Sequence, residues 1–303
     1  MSKVLITGAS GLIGRAISKF LIENNYELVK LSRFNKNNPN NVFFWDIEKQ
    51  IIEDGALDNL DHIIHLAGAG IGDKRWTQKR KNEIIESRVK SAELLYTNIS
   101  KLTRKPKTFI SASAIGYYGA KTTDKILNED DSPADDFQGE VCKLWESSSK
   151  QFERLGLRTV QLRFGVVLSQ KGGALEKMLI PVKLGIGSPL GSGSQFIPWI
   201  HIKDVINIIL YCIENEKLNG AYNIVSPSFI TNKQFLRIIA EVLNRPFIMP
   251  KVPSTLLKLL LGQMSELVLE GSRISPQKII DAGYKFSFAD TKKAIENLLN
   301  SDQ

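Results

Sequence analysis

The feature that most restricts how this chain can fold is Gly8-Ala9-Ser10-Gly11-Leu12-Ile13-Gly14. It follows a β-branched run, Lys3-Val4-Leu5-Ile6-Thr7, which reads as a short buried strand. It precedes Leu12 to Leu21, where apolar residues fall at Leu12, Ile13, Ala16, Ile17, Phe20 and Leu21, the spacing of a helix with one buried face. Glycines at this join allow a tight turn and the close approach of a pyrophosphate. The first N–H groups of the helix lack internal partners and carry partial positive charge, which suits an anion. Thr7, Gly8, Ser10, Gly11, Leu12, Ile13 and Gly14 are therefore the expected phosphate-binding segment of a dinucleotide site. A tight turn without a ligand is the alternative.

The pattern continues in the same style. Strands are expected at Glu27 to Leu31, Val42 to Trp45, Asp61 to Leu66, Thr108 to Ser111 and Arg158 to Phe164. Helices are expected at Thr77 to Leu102 and Asp136 to Leu155, and an Asn- and Lys-rich loop from Phe34 to Asn41. Strands alternating with helices imply right-handed βαβ units and a parallel sheet covered on both faces. The expected fold is α/β, a Rossmann-type doubly wound parallel sheet with a smaller, mostly helical C-terminal substrate lobe. After Leu168 the chain becomes glycine-rich and loop-like, then turns into short helices punctuated by prolines. Residues 1–167 are read as the nucleotide domain, with 200–226 returning to it. Residues 168–303 are read as the lobe, mainly 168–199 and 227–303.

Composition narrows the class. The chain has 303 residues, 43% hydrophobic and 24% charged, which excludes a disordered chain. No apolar run approaches the roughly 20 residues that cross a bilayer. Leu256 to Leu261 is read as a short buried helix. No signal peptide is seen, since only Lys3 precedes an apolar stretch that breaks at Thr7-Gly8. Two cysteines and three histidines supply neither a disulfide framework nor a zinc cluster, so no metal is expected. The expected protein is cytoplasmic, with no membrane and no nucleic-acid partner. Its net charge of +8 admits an anionic ligand without naming one.

Five segments carry a family resemblance beyond the glycine loop. They are Leu66-Ala67-Gly68-Ala69-Gly70, Arg75-Trp76-Thr77, Ser87-Arg88-Val89, Ser111 to Gly119, and Trp199-Ile200-His201. With the stretch Pro253 to Gly283, the chain resembles the atypical extended short-chain dehydrogenases/reductases. Within them it is similar to the "epimerase family" branch, the nucleoside-diphosphate-sugar epimerase-like proteins with a C-terminal domain of unknown function. The resemblance runs nearly end to end. It implies a nicotinamide cofactor near Leu66, Ala67, Gly68, Ala69 and Arg88, and an adenine contact at Asp46. It also admits a homodimer through the helices after the fourth and fifth strands.

The cofactor's identity turns on the end of the second strand. A ribose-binding carboxylate belongs there, about 20 residues past the glycines. This chain has Ser32-Arg33 instead. A guanidinium pairs with a 2′-phosphate through charge-assisted bonds, so NADP is expected over NAD. The alternative for Arg33 is one more solvated charge beside Lys30 and Lys36.

The acid/base machinery departs from the family. A Tyr-x-x-x-Lys pair, one helical turn apart, is expected on the helix after the fifth strand. That helix begins Asp136-Phe137-Gln138-Gly139-Glu140-Val141-Cys142-Lys143. Neither Phe137 with Val141 nor Gly139 with Lys143 restores the pair. Ser113 matches the family serine that binds the reacting oxygen. Tyr118 and His201 are the candidates for the missing proton transfer. The other readings are substrate contact or packing for Tyr118, and a helix-start histidine for His201. Arg75, Trp76, Arg163, Gln195 and Trp199 are the expected substrate contacts. The substrate is then a small molecule, carboxylated, phosphorylated or nucleotide-linked. The expected function is an NADP(H)-binding oxidoreductase or epimerase-like enzyme. The competing one is a non-catalytic NADP(H)-binding regulator or scaffold.

Overall fold

The structure is a computed structural model describing residues 1–34 and 41–300. The loop expected from Phe34 to Asn41 lies, apart from its two ends, outside the described residues. The first six strands are β1 (Lys3–Thr7), β2 (Glu27–Ser32), β3 (Val42–Asp46), β4 (Ile51–Ile52), β5 (His62–His65) and β6 (Thr108–Ala114). The later ones are β7 (Ile126–Leu127), β8 (Arg158–Phe164), β9 (Val166–Leu168), β10 (Trp199–His201), β11 (Gly220–Ile224) and β12 (Arg273–Ile274). The main sheet has the order β11-β8-β6-β5-β1-β2-β3-β4, and all its pairings are parallel except that of β4 with β3. The chain builds outward from β1 through β2 and β3, then jumps back to β5 on the other side. That reversal beside β1 is where such sheets hold ligands, at the carboxyl ends of the strands.

Strand alternation explains how both faces are covered. Val4 and Ile6 join Ile64, Ile110 and Leu162 in one cluster, with Ile17 and Leu21 of α1 (Leu12–Glu23). Leu5, Ile63 and Phe109 point the other way, onto Ala92, Leu95 and Ile99 of α2 (Gln78–Ser100). Successive side chains of a strand face opposite sides, so both must be apolar when helices cover both. After α2 comes α3 (Phe137–Lys150), and the stretch read as one helix to Leu155 finishes as a 3₁₀ turn over Gln151–Leu155.

Two expectations are corrected beyond β8. The segment after Leu168, read as loop, contains α4 (Ala174–Lys183) with Pro181 inside it. Its helical spacing of Leu175, Leu179 and Val182 buries one face, which outweighs the proline. Next come α5 (Ile202–Glu214), which shares the first cluster with α1, and α6 (Asn232–Val242). The helix α7 (Ser254–Leu261) exists but is not buried: Leu256, Leu259 and Leu260 are 45%, 73% and 61% exposed. None of its residues is buried, since its near-continuous apolar run has no single face to hide. The short helices α8 (Glu266–Leu269) and α9 (Gln277–Asp281) lead to α10 (Thr291–Asn300). Helices α4, α6 and α10 enclose a separate apolar cluster around Trp199 and Phe235. β11 pairs with β8, so the chain between lobe segments returns to the sheet edge. No helix among the described residues is long and apolar enough to cross a membrane.

Candidate functional site

A cleft of about 1040 Å³ runs along the carboxyl ends of β1, β2, β3 and β5. The glycine loop forms its floor. Gly8 has φ +69°, a conformation L side chains rarely adopt, and a Cβ there would sit 2.7 Å from the Leu66 backbone. A Cβ on Gly14 would lie 2.2 Å from the Gly8 carbonyl oxygen, so α1 packs against the loop only because Gly14 has no side chain. Gly11 caps α1 with no side-chain hydrogen bond and no acid in the first turn. The helix therefore keeps its N–H groups and partial positive charge for a ligand.

The expected cofactor residues divide into those lining this cleft and those supporting it. Gly8, Ser10, Gly11, Ser32, Arg33, Asp46, Leu66, Ala67, Gly68 and Ala69 line it. Leu12, Ile13 and Gly14 are not among its lining and belong to the helix behind the loop. Thr7 is fully buried beneath it. Its Oγ1 accepts from the Leu66 and Ala67 amides, each at 3.2 Å, and lies 2.8 Å from His65 Nδ1. With two donors already arriving, the Thr7 hydroxyl donates to a neutral His65, whose Nε2 faces Ser91 Oγ at 3.2 Å. Burial holds the His65 pKa down to about 4. Asp46 Oδ1 accepts from the amides of Glu48 and Lys49, which locks the turn at the cleft's edge. Lys30, Trp45, Lys74 and Ser87 also line the cleft.

A second cavity of about 240 Å³ involves Arg88. Gly68 of the cleft packs on it, since a Cβ there would meet the Arg88 guanidinium at 3.2 Å. Ala114, Gln138, Cys142, Trp145 and the ring of Tyr118 are among its walls. Gln138 and Cys142 are one helical turn apart on α3, so this pair faces the cavity. Of the two frames read from sequence, Phe137 with Val141 and Gly139 with Lys143, only Val141 is among the residues lining this cavity. Phe137 packs edge-on against Trp76 at 4.8 Å between ring centroids. Burial pushes the Cys142 thiol up to about 12.

Several expected site residues have their polar groups bonded inside the fold. The Ser113 hydroxyl donates to Glu146 Oε1 at 2.7 Å, and Ser113 lines neither cavity, whereas its neighbour Ala114 does. Arg163 is 3% exposed and forms a two-pronged pair with Glu146, Nε to Oε1 at 2.8 Å and Nη2 to Oε2 at 2.9 Å. It also donates to the Tyr118 hydroxyl at 2.9 Å and stacks on Tyr117 at 3.5 Å. The Tyr118 hydroxyl donates in turn to Asn223 Oδ1 at 2.8 Å, and burial raises its pKa. Arg163 and Tyr118 thus spend their polar groups on each other, not on a ligand. Glu146, the centre of this network, carried no sequence signal beyond its place on α3.

The second-lobe residues behave similarly. His201 is fully buried, stacked on Phe288 at 3.8 Å, and its Nδ1 accepts from the Lys203 amide at the start of α5. It lines neither cavity, and its place matches the other reading, a histidine at a helix start. Trp199 is fully buried in the lobe's core. Trp76 is packed in a core cluster and donates to the Ile71 carbonyl at 2.8 Å. Arg75 is exposed and packs against Gly262 outside both cavities. Gln195 does line the inner cavity, with its amide donating to the Leu190 and Val268 carbonyls. Among the described residues no cluster of metal-ligating side chains occurs.

The parallel sheet with a glycine loop at its reversal defines a dinucleotide-binding protein of the Rossmann type. Residues 4–225 match the NAD dependent epimerase/dehydratase family and residues 252–298 match a domain of unknown function, DUF1731. The chain belongs to the NAD dependent epimerase/dehydratase family, within the extended short-chain dehydrogenases/reductases. It is 35% identical over 299 residues to the epimerase family protein YfhF of Bacillus subtilis, covering 98% of this chain and 97% of that one. In structure it is similar to human epimerase family protein SDR39U1, crystallised with NADPH, at a TM-score of 0.89 and 32% identity, covering 99% of both chains. It is also similar to the nucleoside-diphosphate sugar epimerase of Corynebacterium glutamicum, at a TM-score of 0.81 and 30% identity. That match covers 98% of this chain and 58% of the other. The UDP-glucose 4-epimerase of Thermotoga maritima, solved with UDP-glucose, shares the fold at 0.77 with 19% identity.

Proposed function

We propose that this chain is an NADP(H)-dependent oxidoreductase or epimerase-like enzyme acting on a small anionic substrate. The observation that carries this reading is Arg88, a buried guanidinium packed on Gly68 of the dinucleotide cleft while lining the cavity beside it. The N-terminus of α1 and the Gly8–Gly11 backbone would hold the pyrophosphate, and Ser32 with Arg33 the 2′-phosphate. Asp46 would meet the adenine, and Ala67 to Ala69 leave room for the ribose next to Arg88. The bound dinucleotide supplies hydride transfer. Arg88 supplies fixed positive charge in a site of low polarity, where developing oxyanions are stabilised most.

Arg33→Asp tests the cofactor assignment. Removing a charge-assisted bond to phosphate costs about 1.5–3 kcal/mol, which is about 10- to 150-fold in affinity. NADPH binding, read by nicotinamide fluorescence, should weaken by that much, while NADH binding holds or improves. Equal affinities for the two cofactors in the unmodified protein would sink the NADP assignment. The SDR39U1 structure, solved with NADPH, supports it.

One observation favours the non-catalytic reading. Gln138 and the protonated thiol of Cys142 occupy the cavity-facing turn of α3, and neither exchanges protons readily near neutral pH. A turnover screen with NADPH, run beside binding measurements, separates the two. Tight binding with no turnover across small carboxylates, carbonyl compounds and nucleotide sugars would leave the regulator ahead.

A further inference from the structure

Independently of the cofactor chemistry, we infer that the C-terminal lobe docks on an anionic lipid surface through one basic and apolar patch. The patch is formed by the end of α4, the segment 245–252 and the outward face of α7. This is contact at the surface of a bilayer, not a span, and it departs from the expectation of no membrane partner.

Segments distant in sequence assemble this patch. Leu190 and Val252 form a parallel bridge. The Val252 amide donates to the Pro189 carbonyl at 2.8 Å, and the Gly191 amide donates to the Val252 carbonyl at 2.9 Å. The Ser188 hydroxyl donates to the Pro250 carbonyl. On α4, Leu175, Leu179 and Val182 face the core, which leaves Ile180, Lys183 and Leu184 together on the outer side. Pro253 starts α7 directly after Val252, and the i, i+3, i+4 spacing of Leu256, Leu259 and Leu260 puts them on one face.

The apolar residues stand out from the surface instead of lining a groove. Ile248, Leu259, Leu184 and Leu260 are 83%, 73%, 70% and 61% exposed, and Ile180 and Ile186 are exposed beside them. None of these lines the dinucleotide cleft or the inner cavity. A groove for a peptide or helix half-covers the residues that form it. Protruding leucines and isoleucines suit a soft phase that closes around them, as at the boundary between lipid headgroups and acyl chains.

The charges select the partner. Residues 177–190 and 242–265 contain Lys177, Lys183, Arg245, Lys251 and Lys258 and no Asp or Glu. Lys177 donates to the Gly72 carbonyl, and Lys258 lies on the other side of α7, beside Glu266. Lys183, Arg245 and Lys251 are exposed and form no ion pair among the described residues. Cations interleaved with apolar side chains complement an anionic headgroup layer, each contributing about fivefold in affinity near such a surface. A second copy fits less well, because a two-fold interface sets a patch against itself, and these three cations would meet the same three.

The full chain is sedimented with vesicles of equal parts phosphatidylglycerol and phosphatidylcholine, and with vesicles of phosphatidylcholine alone. It should bind the mixed vesicles at least about tenfold more tightly than the neutral ones. Binding should weaken between about 0.1 M and about 1 M salt, since the screening length falls from about 10 Å to about 3 Å. Lys183→Glu, Arg245→Glu and Lys251→Glu together should cost about tenfold to a hundredfold. Leu259→Ser with Leu260→Ser should cost at least about tenfold at unchanged charge. All five side chains are exposed, so both variants keep the fold. Lys101→Glu, Arg154→Glu and Lys285→Glu change the net charge equally but lie off the patch. Together they should cost at most about threefold, because exposed charges beyond a screening length count little. No sedimentation with the mixed vesicles, equal binding to neutral ones, an equal loss from the off-patch charges, or no loss in the leucine variant would each overturn the inference. So would a dimer in sedimentation velocity that Leu259→Ser with Leu260→Ser turns into a monomer, which would give the patch to a second copy.

Discussion

Replacing Glu146 with leucine is expected to destabilise the protein by about 3–5 kcal/mol, the usual result of leaving one half of a buried ion pair without its partner. Arg163 is 3% exposed and reaches Glu146 through two parallel bonds of 2.8 and 2.9 Å. Without the carboxylate its charge stays buried. The Ser113 hydroxyl also loses its acceptor, and the bond from Arg163 to Tyr118 loses its orienting anchor. Urea unfolding followed by tryptophan fluorescence measures the loss. Combining Glu146→Leu with Arg163→Met should recover most of it, because removing both charges leaves none stranded. A single variant within about 0.5 kcal/mol of the parent, the range of ordinary surface substitutions, would show that the pair is not structural.

Acid should destabilise the chain well before its carboxylates are titrated. His65 and His201 both have pKa values near 4 in the fold, lowered by burial from an ordinary 6.5. Above pH 6.5 folded and unfolded chains are both neutral at these sites, and the stability is fully present. As pH falls from 6.5 to 4 the unfolded chain takes up protons that the fold refuses, so stability drops. Each histidine contributes a slope of up to about 1.4 kcal/mol per pH unit and a total on the order of 3 kcal/mol. His62, also lowered by burial, adds in the same direction. Protonating His65 Nδ1 would remove the acceptor for the Thr7 hydroxyl, directly under the cleft. Protonating His201 Nδ1 would remove the cap of α5. Denaturant unfolding at pH 7, 6, 5 and 4.5 gives the slope. His65→Gln should reduce it by about one histidine's share, and an unchanged slope would refute the assignment.

The glycine loop was legible because its physics is local. A strand, three glycines and an amphipathic helix in sequence specify a phosphate turn whatever the rest of the chain does. Ser32-Arg33, Asp46 and Leu66 to Ala69 were equally legible, since each follows a strand whose end must reach the same rim. Arg88 could be singled out from its segment, though only packing showed that it lacks an internal counter-charge.

Ser113, Tyr118, Arg163 and His201 have hydrogen-bond partners inside the fold that their residue types did not announce. Their residue types suit catalysis, but whether a hydroxyl or guanidinium faces a ligand or a neighbour depends on partners distant in sequence. Ser113 and Ala114 are adjacent on β6, yet only Ala114 lines a cavity, because consecutive strand residues face opposite ways. On α3 a shift of one residue turns a side chain by about 100°, enough to exchange Phe137 for Gln138 at the cavity wall. The exposure of α7 was hidden likewise, since an apolar run does not say what, if anything, lies against it. The sequence by itself determined the strand–helix alternation, the dinucleotide cleft and the guanidinium at the end of β2. Tertiary structure alone decided which polar groups were spent inside the fold and which were left without partners, because hydrogen bonds and ion pairs between distant segments exist only once the sheet has assembled.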